Sequence, residues 1–345
     1  MKTIKLKAED ENKIDSIKRA SQIIKSGGLV AFPTETVYGL GANALNEKAI
    51  EKIYEAKGRP SDNPLIVHLG YKEDAEKYVQ AVPAKAALLM DAFWPGALTI
   101  ILHKKPIIPH RITGGLNTVA LRMPDHEIAL SLIRESKMPI AAPSANLSGK
   151  PSPTKAEHVI EDMDGRIEGI ICGGDCTLGI ESTVIDLTVS PPVILRPGGV
   201  TKEAIEQIIG PVDMDAGLGN PKELPKSPGM KYKHYAPKSP VIVYKGELED
   251  MVAAIIAEKQ KREQAGSKVG ILASDETKQR YEGCVLSTGS RENPQTIAQN
   301  IFNTLRLFDK KDVDVILCES FDNKDIGFAV MNRIIKSAGY NVIEV

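Results

Sequence analysis

The stretch Val30-Ala-Phe-Pro-Thr-Glu-Thr-Val-Tyr-Gly-Leu40 begins as an apolar, strand-like run and breaks into hydroxyls, one carboxylate and a glycine-bounded turn. A break of this kind presents small polar groups to a ligand from the end of a rigid element. Further along stand Lys57-Gly-Arg59, Asn63, His68, Arg122 and the loop Pro143-Ser-Ala-Asn-Leu-Ser-Gly149. The cations suit phosphate or carboxylate, and the amides and hydroxyls suit the edge of a purine.

Each group also has a plainer use. Thr34 and Thr36 can grip a ligand or bond their own backbone to hold a turn. Glu35 can cap a turn or orient a cation. Lys57 and Arg59 can aim two charges at one polyphosphate, or serve as ordinary cations at a helix C-terminus. His68 ends an apolar run, where a hydrogen-bonded core histidine is the commoner outcome. Arg122 ends a nonpolar strand, and a buried guanidinium without an anion costs several kcal/mol. Its planar fork matches a substrate carboxylate or a structural one. Ser144, Asn146 and Ser148 can cradle phosphate, read adenine, or simply make turns. Ser182-Thr183 and Arg196, each beside a strand, add groups of the same kind.

The elements that must position these groups are short. Helical periodicity covers 15–26, 47–56, 75–90 with a break at Pro83, 127–135 and 202–209. Strands are expected at 29–32, 64–69, 98–102, 118–122, 140–142, 170–171, 182–186 and 193–196. Gly58 and Pro60 end the second helix. Turns rich in Gly, Pro and Ser fit an open, twisted mixed sheet carrying helices better than a regular doubly wound fold. From 210 to 240 the chain reads as a linker pinned by prolines. Regular α/β alternation then returns, with strands at 241–244, 269–273, 284–286 and 313–317 and helices at 248–264, 294–308 and 329–338. The expected domains are therefore 1–210, a linker over 211–239, and 240–345.

Composition removes several function classes. A chain of 345 residues exceeds one compact core. Its 44 Lys and Arg against 45 Asp and Glu give a formal charge of -1, which offers no long-range pull toward nucleic acid. The four cysteines, Cys172, Cys176, Cys284 and Cys318, are too few and scattered for a disulfide framework, which favours a reducing, cytoplasmic setting. No second Cys or His pair follows Cys172 and Cys176 at zinc-ligand spacing, so no protein metal site is expected. The Rossmann glycine fingerprint, the GxxxxGK[ST] phosphate loop and the GxSxG elbow are all absent. No signal peptide or membrane span is expected.

Taken in order, Pro33-Thr-Glu-Thr-Val-Tyr-Gly-Leu40, Lys57-Gly-Arg-Pro-Ser-Asp-Asn-Pro64, Trp94-Pro-Gly96, Arg122-Met-Pro124, Pro143–Gly149, Ser182-Thr183-Val184 and Arg196-Pro-Gly198 resemble a YrdC-type domain. Ser227-Pro-Gly-Met-Lys-Tyr-Lys-His-Tyr-Ala-Pro237 and Gly327-Phe-Ala-Val-Met-Asn-Arg333 resemble the long, two-domain members of the threonylcarbamoyl-AMP synthase family. The resemblance implies a YrdC-like open sheet followed by a smaller, three-layer Rossmann-like α/β domain. It also implies the reaction of ATP, L-threonine and bicarbonate or CO2 to threonylcarbamoyl-AMP, pyrophosphate and water. Magnesium is expected with the ATP. Separate transferase proteins would carry the group to adenosine 37 of tRNA, with no stable tRNA binding by this chain.

Carried over by resemblance, Thr34, Lys57 and Arg59 would carry the chemistry, and His68, Thr118, Arg122 and Ser182 would join them around threonine. Lys57, Asn63, Ser144, Asn146, Ser152, Arg196, His234 and Tyr235 would meet the nucleotide, the last two as a lid from the linker. A double-stranded RNA-binding module, or carbamoyl transfer from carbamoyl phosphate, are the alternatives that the same domain allows.

Overall fold

The computed structural model describes residues 1–8, 12–60, 63–215 and 234–345. It divides into two compact units, Met1–Ser148 with Ser152–Lys231, and Gly149–Pro151 with Tyr232–Val345.

The first unit contributes β1 (Ile4–Lys7), β2 (Val30–Phe32), β3 (Gly39–Asn43), β4 (Ile66–His68), β5 (Leu98–His103), β6 (Thr118–Arg122), β7 (Ile140–Ala141), β8 (Gly169–Cys172), β9 (Thr183–Asp186), β10 (Val193–Arg196) and β11 (Asp213–Met214). They form one sheet in the order β1-β8-β2-β3-β7-β4-β6-β5-β9-β10-β11. It is mixed: β4 runs parallel to β6, for example, while β7 runs antiparallel to both β3 and β4.

Strand alternation explains why these runs are apolar throughout. Leu29 and Ala31 belong to one buried cluster, with Ile50 and Ile53 of the helix Glu47–Lys57; Val30 and Phe32 belong to another, with Ala20 and Ile24 of the helix Lys13–Lys25. Successive side chains point to opposite faces, so a strand covered on both faces needs no polar position. Each fully buried Ile or Leu stabilises the unit by about 1.5–3 kcal/mol.

The structure departs from the sequence expectation in instructive places. Gly39-Leu-Gly-Ala-Asn43, where the sequence predicts only a turn bounded by Gly39 and no strand, is strand β3. A Cβ on Gly41 would lie 2.7 Å from the Phe32 ring and 2.9 Å from Ile140, so glycine there admits a neighbouring ring rather than a bend. The helix expected over 75–90 is two pieces, Ala75–Tyr78 and Ala84–Phe93, with Val79 extended between them. The expected linker is shorter at its start, because Asp213–Met214 pair with β10. Its segment 216–233 lies outside the described residues.

In the second unit β12 (Val241–Lys245), β13 (Val269–Ala273), β14 (Cys284–Ser287), β15 (Val315–Glu319) and β16 (Val342–Glu344) pair in the order β14-β13-β15-β12-β16. Every pairing is parallel. The helices Leu248–Gln264, Pro294–Phe308 and Ile326–Ser337 make three of the four connections, as a Rossmann-like sheet requires, and a short 3-10 turn at Lys278–Arg280 lies between β13 and β14. The strand expected at 313–317 sits two residues later, which brings Glu319 into it.

Candidate active site

Two polar clusters converge on the segment 33–38. In the first, Thr34 is buried and its hydroxyl is turned inward: Oγ1 lies 2.8 Å from Thr36 Oγ1, donates to the Val37 carbonyl at 2.7 Å and accepts from the Thr36 and Val37 amides at 3.2 Å. Thr34 is thus the turn-former of the two readings open in the sequence. The turn carries Glu35 and Thr36 to Arg122, whose backbone pairs opposite His68 at the end of β6.

Arg122 is 4% exposed. Its Nη2 donates to Glu35 Oε1 at 2.6 Å, Nη1 to Thr36 Oγ1 at 3.0 Å and Nε to the Gly96 carbonyl at 3.1 Å. A guanidinium has five N–H donors. Those three bonds leave one on each terminal nitrogen, the number a bidentate carboxylate takes up. Glu35 Oε2, His68 Nδ1 and both amide atoms of Asn63 are buried without a partner among the described residues. Burial, then the charge of Arg122, pushes His68 down to about 3, so its imidazole is neutral at physiological pH.

The second cluster starts where the helix Glu47–Lys57 stops. Asn46 caps its start through bonds from the Lys48 and Ala49 amides, and Gly58, left-handed at φ 61°, ends it. This stop aims Lys57 into the loop 143–149, where Nζ donates to the Ser144 carbonyl, to the Asn146 carbonyl at 2.7 Å and to Asn146 Oδ1 at 3.3 Å. Ser144 Oγ donates to Asn146 Oδ1 at 2.6 Å, and the Ser148 amide donates back to the Lys57 carbonyl at 2.9 Å. The backbone ties the clusters together: the Leu40 amide donates to Pro143 O at 2.7 Å and the Ala145 amide to Tyr38 O at 2.8 Å.

A third group flanks them. Arg196 Nε donates to the Ser182 carbonyl at 3.0 Å and Nη2 to Ser182 Oγ at 3.1 Å, while Thr99 and Ser182 hydroxyls meet at 2.8 Å. A register shift between Ile194 and Arg196 marks a bulge, the usual device for re-aiming a strand side chain. A Cβ on Gly198 would fall 2.3 Å from the Thr183 amide, so only glycine lets the chain return this closely. Ser152 Oγ donates to Glu181 Oε1 at 2.6 Å, and the Leu178 amide donates to Glu35 O at 2.7 Å.

The structure thus gathers Thr34, Lys57, Arg122, Ser144, Asn146, Ser152, Ser182 and Arg196 around three adjoining loops, with Asn63 and His68 on the flanking chain. Arg59, half-buried, follows directly after Gly58, its amide bonded to Tyr54 O at 3.0 Å. Thr118 stands apart. It opens β6 opposite His103, four residues from Arg122, which at strand rise is about 13 Å away. His234 and Tyr235 belong to the second unit, where Tyr235, at φ 64°, stacks its ring 5.0 Å from that of Phe302. Sequence reasoning left Glu35 undecided and missed Glu181 and Thr99. An acidic residue inside a hydroxyl-rich turn was the available signal for Glu35; Glu181 and Thr99 gave none, because their partners lie far along the chain.

The fold and the anion-ready loops define a YrdC-type sheet unit followed by a small parallel α/β unit. Residues 22–198 match the Sua5/yciO/yrdC family model, described as "Telomere recombination", and residues 200–339 match "Threonylcarbamoyl-AMP synthase, C-terminal domain". The threonylcarbamoyl-AMP synthase of Bacillus subtilis is 53% identical over 95% of this chain and 94% of its own length; that of Pyrococcus abyssi is 50% identical over 95% and 96%. The crystal structure of P. abyssi Sua5 complexed with L-threonine superposes with a TM-score of 0.94 at 48% identity, covering 100% of both chains. The chain belongs to the threonylcarbamoyl-AMP synthase family. These full-length relatives favour the synthase reading over an RNA-binding module or carbamoyl transfer from carbamoyl phosphate. Among the described residues no helix is long and apolar enough to cross a membrane.

Proposed function

We propose that this protein makes threonylcarbamoyl-AMP from ATP, L-threonine and bicarbonate, as an ATP-dependent nucleotidyltransferase serving tRNA modification. The supporting observation is the joining of the Arg122 cluster to the Lys57–Asn146 loop through the backbone of residues 38–40 and 143–145. Arg122, fixed by Glu35, Thr36 and Gly96, offers its two remaining donors to the threonine carboxylate. Lys57, Ser144, Asn146 and Arg196 face the nucleotide and its phosphates.

The threonine amine and bicarbonate first give a carbamate and water. A carbamate oxygen then forms the bond to the α-phosphorus of ATP, the bond to the leaving oxygen breaks, and pyrophosphate departs. Neither step requires a covalent enzyme nucleophile; both require placement and compensation of developing charge. The donor set suits this: cations, hydroxyls and amides fit phosphate oxygens. Among the described residues no group of three or more His, Cys, Asp or Glu side chains could hold a metal. Magnesium would therefore arrive on the ATP phosphates, which it commonly binds while keeping its waters, and would neutralise their charge. The product would pass to separate proteins that modify tRNA.

Incubation with ATP, Mg²⁺, threonine and bicarbonate is expected to release pyrophosphate in proportion to the mixed anhydride formed. Pyrophosphate release that does not depend on threonine overturns the proposal.

A further inference from the structure

A cavity in the first unit begins at Leu69, the residue after His68, and opens between side chains that the candidate active site does not use. It measures about 350 Å³ and lies between residues 69–78 and 133–139. That volume is within the range of small-molecule sites. Lys77, Arg134 and Lys137 line it against one carboxylate, Asp74, which is already paired with Lys77 at 2.7 Å. The lining therefore carries a surplus of two positive charges in a chain whose formal charge is -1.

Arg134 is held in place before any ligand arrives. Its Nε donates to the Gly70 carbonyl at 3.0 Å, and its guanidinium lies 4.7 Å from the centre of the Tyr71 ring. A Cβ on Gly70 would meet Arg134 Cγ at 3.0 Å, so the approach depends on glycine. With Nε committed and the plane fixed by the ring, Arg134 makes no hydrogen bond through its two terminal nitrogens among the described residues. A planar fork fixed in this way is suited to two oxygens of one oxyanion. Lys137, at the end of the helix Glu127–Ser136, supplies the neighbouring charge. Tyr78 is kept protonated by burial, then by Asp74, and so remains a hydroxyl donor. Leu69, Tyr71, Ile133, Met138 and Pro139 complete the lining, a surface for a flat or apolar body.

We propose that this cavity binds a small phosphate monoester, its phosphate on Arg134 and Lys137 and a planar body against Tyr71. A monoester carries about -1.5 to -2 at pH 7, which matches the surplus charge of the lining. The site is independent of the synthase reading.

The test is calorimetric titration of the full chain with phenyl phosphate and, separately, inorganic phosphate, with the nucleotide site filled by a non-hydrolysable ATP analogue. The expected result is one saturable phenyl phosphate site, weakened about tenfold or more by Arg134→Ala and by Lys137→Gly. Tyr71→Ala is expected to weaken phenyl phosphate and leave inorganic phosphate unchanged. Lys137→Gly guards against a folding artefact, because Lys137 has φ 54°, where glycine is at ease. Absence of saturable binding to the wild-type chain, or binding that both charge-removing variants retain in full, overturns the proposal. Basal pyrophosphate release by Lys137→Gly is expected to equal that of the wild type.

Discussion

Each unit holds an arginine–glutamate pair with one partner at the end of a strand, Arg122 on β6 and Glu319 on β15, and the two pairs are finished differently. In the second unit Glu319 is fully buried at the end of β15 and both oxygens are occupied: Oε1 by the Tyr281 hydroxyl at 2.7 Å, Oε2 by Arg291 at 2.5 Å and the Ser274 amide at 3.2 Å. The Ser274 hydroxyl meets Thr277 at 2.9 Å, and Arg291 lies over the Phe321 ring at 4.8 Å. This cluster sits where β13 and β15 lead away in opposite directions, the place where open parallel sheets usually hold a ligand. Here the protein's own side chains fill it. In the first unit the Glu35–Arg122 pair leaves Glu35 Oε2, His68 Nδ1 and the Asn63 amide without partners. Buried polar groups are normally satisfied, so a closed network indicates structure and an open one indicates a place for a ligand.

The largest effect that separates the two pairs is expected from Arg122→Ala. This change removes the two donors offered to the threonine carboxylate, each charge-assisted bond being worth about 1.5–3 kcal/mol, so threonine-dependent pyrophosphate release is expected to fall about a hundredfold or more. Circular dichroism is to check that the variant is folded, and unchanged turnover in a folded variant would show that the pair is structural in both units. The matching change in the second unit, Glu319→Ala, is expected to reverse the pattern. Arg291 is 22% exposed and can turn to solvent, so stability falls by about 2–3 kcal/mol, read from a urea unfolding midpoint, while turnover per folded molecule is kept.

The open network was legible in part. Arg122 could be singled out because a guanidinium ending an apolar strand demands an anion, and the loop 143–149 because it alternates small and polar residues. Glu35 could not be assigned, since the choice between a cap and an ion pair is made by a strand some ninety residues away. Thr34 shows the reverse case: local chemistry offered two readings and the turn took the hydroxyl. Thr118 and Arg122 share one strand and look like neighbours in sequence, yet strand rise puts them at opposite ends of it. The fold was legible wherever a run was apolar and long. It failed at β3, where two glycines accommodate neighbouring side chains rather than a turn, and at Val315–Glu319, where the charge of Glu319 concealed a buried strand end.

A smaller effect sharpens the division inside the first unit. Asn146→Ala removes an acceptor from Ser144 and Lys57 but leaves Arg122 and its partners untouched. Loss of one such polar contact is worth about 1–1.5 kcal/mol, so KM for ATP is expected to rise about tenfold while KM for threonine stays within twofold. Equal changes in both constants would mean that the two clusters act as a single unit.

The smallest effect near neutral pH concerns His68, which belongs to the open network and bears no charge there. Its pKa is about 3 in the folded chain, against 6.5 for an unperturbed histidine, so between those values the unfolded chain binds the extra proton. The contribution is complete above pH 6.5, shrinks as the pH falls toward 3, and favours unfolding in acid. Replacing His68 with Asn is expected to flatten that part of the urea-midpoint profile between pH 6 and pH 4, and to leave the pH dependence of turnover between pH 7 and pH 9 unchanged. A turnover profile that bends near pH 6.5 in the wild type and straightens in the variant would mean that His68 titrates during the reaction. The open network would then take up a proton as well as a ligand.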